Sequence, residues 1–129
     1  MTPAQKEQLD NQFRKQLMFN VVVTQMQKQG KPSVCDGVTL LRNPDGSRCS
    51  LGFLVPNKDY KPEFESLCPN AVMIEELDMP RVGYQFYDDI QDAHDRSALA
   101  PDWWPAFTRQ MERVATKHVL DPSSLHAPA

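Results

Sequence analysis

Few residues in this chain can do chemistry, and they are scattered. Three cysteines (Cys35, Cys49, Cys68) and three histidines (His94, His118, His126) supply every thiol and imidazole. Zinc needs four such groups converging from characteristic spacings, and the chain has neither a CxxC pair nor a common zinc pattern. No metal or cofactor is expected. A small metal- or thiol-dependent enzyme would have to centre on Cys49 and His94. A general base needs a positioned nucleophile or water within reach, and no Ser-centred elbow or local Cys-His signature accompanies His94. The competing reading makes Cys49 a small buried apolar residue. It makes His94, beside Tyr87 and Ile90 on the apolar side of its helix, a hydrogen-bonded core residue. His118 suits the negative pole of the last helix.

Carboxylates form the next constellation. Asp88, Asp92 and Asp95, with Asp89 beside them, fall at i, i+4 and i+7, one face of a helix. Such a face is usually solvated, and Asp92 and Arg96 have the spacing of an ordinary i,i+4 ion pair. If the face binds anything, a protein with a basic surface is the natural partner, because carboxylates steer such encounters. Trp103 and Trp104 are adjacent and point about 100° apart on a helix, so either one packs inward while the other caps a groove or marks a contact surface, or both wedge the helix N-terminus onto the hairpin. Arg42 and Arg48 flank a turn, either as exposed recognition residues or as part of a solvated loop. The five glycines, Gly30, Gly37, Gly46, Gly52 and Gly83, compose no phosphate-binding loop.

The composition bounds the rest. With 129 residues, 40% of them apolar and 24% charged, the chain is the size of one folded domain. A net charge of −3 argues against nucleic acid as the partner, since nonspecific affinity rests on many Lys and Arg contacts. The apolar runs are too short to span a bilayer. A polar start without a secretory pattern, together with three cysteines that form no CxxC pair, points to a reducing cytoplasm, and the odd count leaves at least one thiol unpaired.

The expected architecture is α+β, mainly α, with a long N-terminal helix, a central β-hairpin, several short helices and two C-terminal helices. A compact domain is expected over 1–120 and a flexible tail over 121–129. Thr2 and Pro3 open the first helix and Gly30 closes it. Leu9, Phe13 and Leu17, followed by Met18, Val22 and Met26, mark a buried face that drifts around it. The hairpin is expected where Val38–Arg42 and Ser47–Leu51 flank Asn43, Pro44, Asp45 and Gly46, bringing Leu40 near Cys49. Leu51–Leu54 reads as strand or helical turn, Pro62 starts another turn, and Asn70 opens a short helix that Pro80 stops. Helices over Val82–Ala98 and from the tryptophans to Leu120 follow.

The segments QGKPSV (29–34) and LLRNPDGSRCSLGFLVPNKDY (40–60) resemble a family of small uncharacterised proteins of tailed bacteriophages and prophages. The family's core pattern is similar to YRxxDGxKCAxGxLIPDxxY, met here by Arg42, Asp45, Gly46, Cys49, Gly52, Leu54, Pro56 and Tyr60. A DLQxxHD-like helix follows, met by Asp89, Ile90, Gln91, His94 and Asp95, and then a tryptophan, Trp104. Leu41 departs from an aromatic, Val55 from isoleucine and Asn57 from an acid. The resemblance implies a phage setting and no established activity. Within that setting the acidic helix face and an exposed tryptophan fit an accessory protein that binds a host protein in the host cytoplasm, such as an inhibitor of a defence or nucleic-acid-processing factor, better than an enzyme.

Overall fold

The computed structural model describes residues 1–128 and confirms a mainly helical α+β chain. Helix α1 spans Pro3–Gln29. The Thr2 hydroxyl accepts from Gln5 N while the Gln5 side chain accepts from Thr2 N, a reciprocal cap at the expected start. At the other end Gly30 takes φ 74° and donates to Met26 O, as a left-handed stop requires.

The strands are displaced from their expected place. β1 (Val34–Cys35) pairs antiparallel with β2 (Val38–Thr39), Val34 opposite Thr39 and Cys35 opposite Val38. The turn is Asp36-Gly37, with φ 51° and 79°. Two positive φ values give a two-residue turn whose twist suits paired strands. The Asn43–Gly46 turn forms as well, but it closes a wide loop and not a ladder: Asn43 N donates to Ser47 O, and Cys49 N to Leu40 O at 3.3 Å. Leu40 and Cys49 are thus neighbours, as expected, outside any sheet. Asn43 Nδ2 reaches Val34 O and ties the two loops together.

Leu51–Phe53 and Pro62–Ser66 are single 3₁₀ turns, and Ala71–Glu76 is wound with i→i+5 bonding. Helices α2 (Tyr84–Ser97) and α3 (Trp103–His118) form an antiparallel hairpin, for His118 at the end of α3 meets Phe86 and Asp89 near the start of α2. One core joins the second half of α1 (Phe19, Val22, Val23, Met26) to Cys49, Leu51, Phe64, Met73, α2 (Phe86, Tyr87, Ile90) and α3 (Phe107, Met111).

Two expectations are corrected. Leu9, Phe13 and Leu17 are exposed, because the C-terminal segment meets the first half of α1 on another face, at Gln12 and Gln16. Residues 121–128, expected to be a loose tail, fold back along α1: Ser123–His126 is a 3₁₀ turn and Leu125 is 2% exposed within the core. Gln16 brackets this return, accepting from Asp121 N and donating to Asp121 O, while Gln27 donates to Ala127 O. Among the described residues no helix is long and apolar enough to cross a membrane.

Candidate functional site

The 40–60 segment is a network of interlocked polar contacts. Arg42 sits at the end of β2's exit and turns inward: Nη1 donates to Gly52 O at 2.6 Å, and Nη2 donates to Val55 O at 2.8 Å and to Asn57 Oδ1 at 3.0 Å. Its guanidinium lies 5.1 Å from the Tyr60 ring centroid. Arg42 therefore satisfies the carbonyls left open where the 3₁₀ turn ends. Arg48 donates to the same Asn57 oxygen and lies over Phe53. Neither arginine is the free recognition residue expected from its place in a turn.

Glu65 completes the network. Its carboxylate accepts from Leu41 N, Arg42 N and the Tyr60 hydroxyl at 2.7, 3.0 and 2.7 Å. Burial and that hydrogen bond push the Tyr60 hydroxyl up to about 12. Gln29 joins α1 to the same loop by exchanging hydrogen bonds with Arg48 N and O. Asp45 accepts from Lys31 and from Ser47 N and Oγ, contacts that hold its carboxyl well below the usual carboxylate range. Sequence reasoning missed Glu65, and placed Gln29 and Gln91 in motifs without giving them partners; Gln91 accepts from Leu51 N. A single polar residue gives no local sign of partners 19 to 40 positions away.

His94 and Cys49 are not poised for catalysis. His94 is fully buried. Its Nε2 accepts from Ser33 N at 2.9 Å, so that nitrogen carries no proton, and in the neutral ring Nδ1 donates to Asp95 Oδ1 at 3.0 Å. Both ring nitrogens are committed, which makes His94 the link between α2 and the start of the hairpin. Cys49 is 1% exposed, and burial pushes its thiol up to about 12. The thiolate that nucleophilic or metal chemistry requires is strongly disfavoured there. A cavity of about 210 Å³ lies between this thiol and Leu41, Phe64, Val72, Gln91 and Asp95. Among the described residues no group of three or more His, Cys, Asp or Glu is placed to hold a metal ion.

The α2 carboxylates share a face but differ in what they do. Asp95 accepts from Thr39 Oγ1, Gln91 and His94; burial raises its carboxyl, but these hydrogen bonds outweigh burial and lower it. Asp92 pairs with exposed Arg96 at 2.6 Å, and Asp89 with Lys117 and His118. Asp88 is exposed at its outer edge and takes no ion-pair partner among the described residues; partial burial, with Asp89 and Asp92 nearby, raises its carboxyl. The open acidic edge is thus Asp88 and Asp92, with Asp95 turned to structural use. At the start of α3, Trp103 stacks on Phe107 at 5.3 Å and Trp104 lies 5.6 Å from Trp103. Both indoles are half-buried against the core. They form one aromatic wedge, with neither ring fully outward.

Compared with protein-family models, curated proteins and solved structures, the chain shows no significant match.

Proposed function

We propose that this chain is a phage or prophage accessory protein that acts by binding a host protein with a basic surface, inhibiting a host defence or nucleic-acid-processing factor. The 40–60 motif and the helix carrying Gln91, His94 and Asp95 support the phage setting. Binding in preference to chemistry is supported by one observation above others: the two groups on which an enzyme would centre are sealed or committed, His94 through both nitrogens and Cys49 by burial. What remains open on α2 is the edge of Asp88 and Asp92, where Asp92 pairs with the exposed Arg96. Carboxylates so placed act on encounter rates more than on final affinity.

The test is affinity capture from host lysate with the wild-type chain and an Asp88→Lys/Asp92→Lys variant. Asp95 is left intact because its reversal would break the bonds to Thr39 and His94. A host protein retained by the wild type and lost by the variant, with retention that weakens as salt rises, is the expected result. A capture profile identical for the two chains, or empty for both, overturns the reading.

A further inference from the structure

Four of the large apolar side chains that the fold leaves uncovered lie in one row; the others, among them Val38, Leu67, Leu99 and Val119, are scattered. Leu9, Phe13, Leu17 and Val21, on α1, are 59, 65, 50 and 43% exposed. At four-residue spacing each successive side chain rotates by only about 40°, so the four form a single ridge roughly 18 Å long. The other apolar side chains of α1's second half are covered. Met18, Phe19, Val22, Val23 and Met26 enter the core, and Gln12 and Gln16 bind the returning C-terminal segment at His118, Val119 and Asp121. The ridge exposes on the order of 400 Å² of apolar surface, the scale at which a patch on a monomer usually marks an interaction. That is about half of what each partner contributes to a standard interface, and the polar residues flanking the ridge can supply the remainder.

The distribution of charge along α1 selects the occupant. Every ionised side chain before Lys28 lies in the first half: Lys6, Glu7, Asp10, Arg14 and Lys15. Residues 16–27 carry no charge. A second α1 laid parallel would set Lys6 on Lys6, Asp10 on Asp10 and Arg14 on Arg14. Laid antiparallel about residue 15, the ridge pairs Phe13 with Leu17 and Leu9 with Val21, and Lys6, Glu7, Asp10 and Arg14 each fall opposite an uncharged residue, while Lys15 at the centre is turned about 180° from the ridge. Ridges at i±4n interdigitate well between helices, and a twofold axis makes such a patch complementary to itself. The charges flanking the ridge are of both signs, so it offers a foreign surface no electrostatic signature to read.

We propose that this ridge seats a second copy of the chain, forming an antiparallel twofold helix pair. The pairing lies apart from the Asp88 and Asp92 edge and stands or falls independently of the host-binding reading. Sedimentation equilibrium of the full chain over a wide concentration range, with Phe13→Gln/Leu17→Gln for comparison, tests it. The wild type is expected to pass from 14.7 kDa to about twice that mass. The variant is expected to stay at one chain's mass with an unchanged circular dichroism spectrum, because both side chains already face water.

Orientation is read in a Cys35→Ser/Cys68→Ser background with a short bismaleimide. Leu9→Cys/Val21→Cys should crosslink into dimers, and Leu9→Cys alone should not. A wild type that remains one chain at every concentration overturns the proposal. So does a dimer that survives the substitutions, or crosslinking by Leu9→Cys alone. A monomer whose ridge substitutions abolish host-protein capture would reassign the ridge to a foreign partner, and that too overturns it.

Discussion

A methyl group added at Gly52 would stand 2.4 Å from the Leu41 carbonyl oxygen and 3.0 Å from the Arg48 Cβ. In an open turn, Gly→Ala stabilises slightly by narrowing the unfolded ensemble. Here the obstructing atom is backbone, held by Glu65 at Leu41 N, and it has no rotamer to yield. The sign therefore reverses: Gly52→Ala should lower stability by about 1–3 kcal/mol, read as a fall in the urea midpoint at constant slope. An unchanged or raised midpoint would refute the close packing of the 3₁₀ turn on that strand exit. The motif's glycines and Cys49 could be read from sequence because residue type alone limits what they can do. Arg42 could not. An arginine beside a turn has the same local pattern whether it faces water or carbonyls, and its partners lie 10 to 15 residues ahead.

Helices were legible where their ends are chemical. Thr2, Pro3 and Gly30 bound α1 within a residue of the expected limits, because caps act through neighbours three or four positions away. The hairpin was harder, since two turn signals compete over Asp36-Gly37 and Asn43–Gly46. The first wins the ladder because a two-residue turn with both φ positive aligns its strands, while the four-residue turn separates them. The C-terminal segment was misjudged through its composition. Prolines and serines read as loose chain, yet one leucine entering the core, with Gln16 and Gln27 binding the backbone on either side of it, docks the segment. Leu125→Ala should cost about 2–4 kcal/mol, and deleting 121–129 at least as much, measured by urea unfolding. A truncation that leaves the midpoint unmoved would show that the segment contributes nothing to the fold.

Periodicity marks a helix face without saying whether anything covers it, and at the scale of the whole molecule that is where sequence reading ran out. Leu9, Phe13 and Leu17 carry the same pattern as Met18, Val22 and Met26, but only the second set meets the chain's own core. That core is continuous from α1's second half through the 40–60 loops to α2 and α3, so it has no internal boundary at which to divide. Trp103 and Trp104, packed on Phe107, report on the same cluster that holds Phe19 and Tyr87. Tryptophan emission and far-ultraviolet circular dichroism should therefore share one urea midpoint. The first turns of α1, outside the cluster, should add a slope to the dichroism baseline before that midpoint, because a short uncovered helix frays gradually. Two separated midpoints would mean that α1 and the α2–α3 hairpin unfold as distinct units, contrary to a single core spanning them.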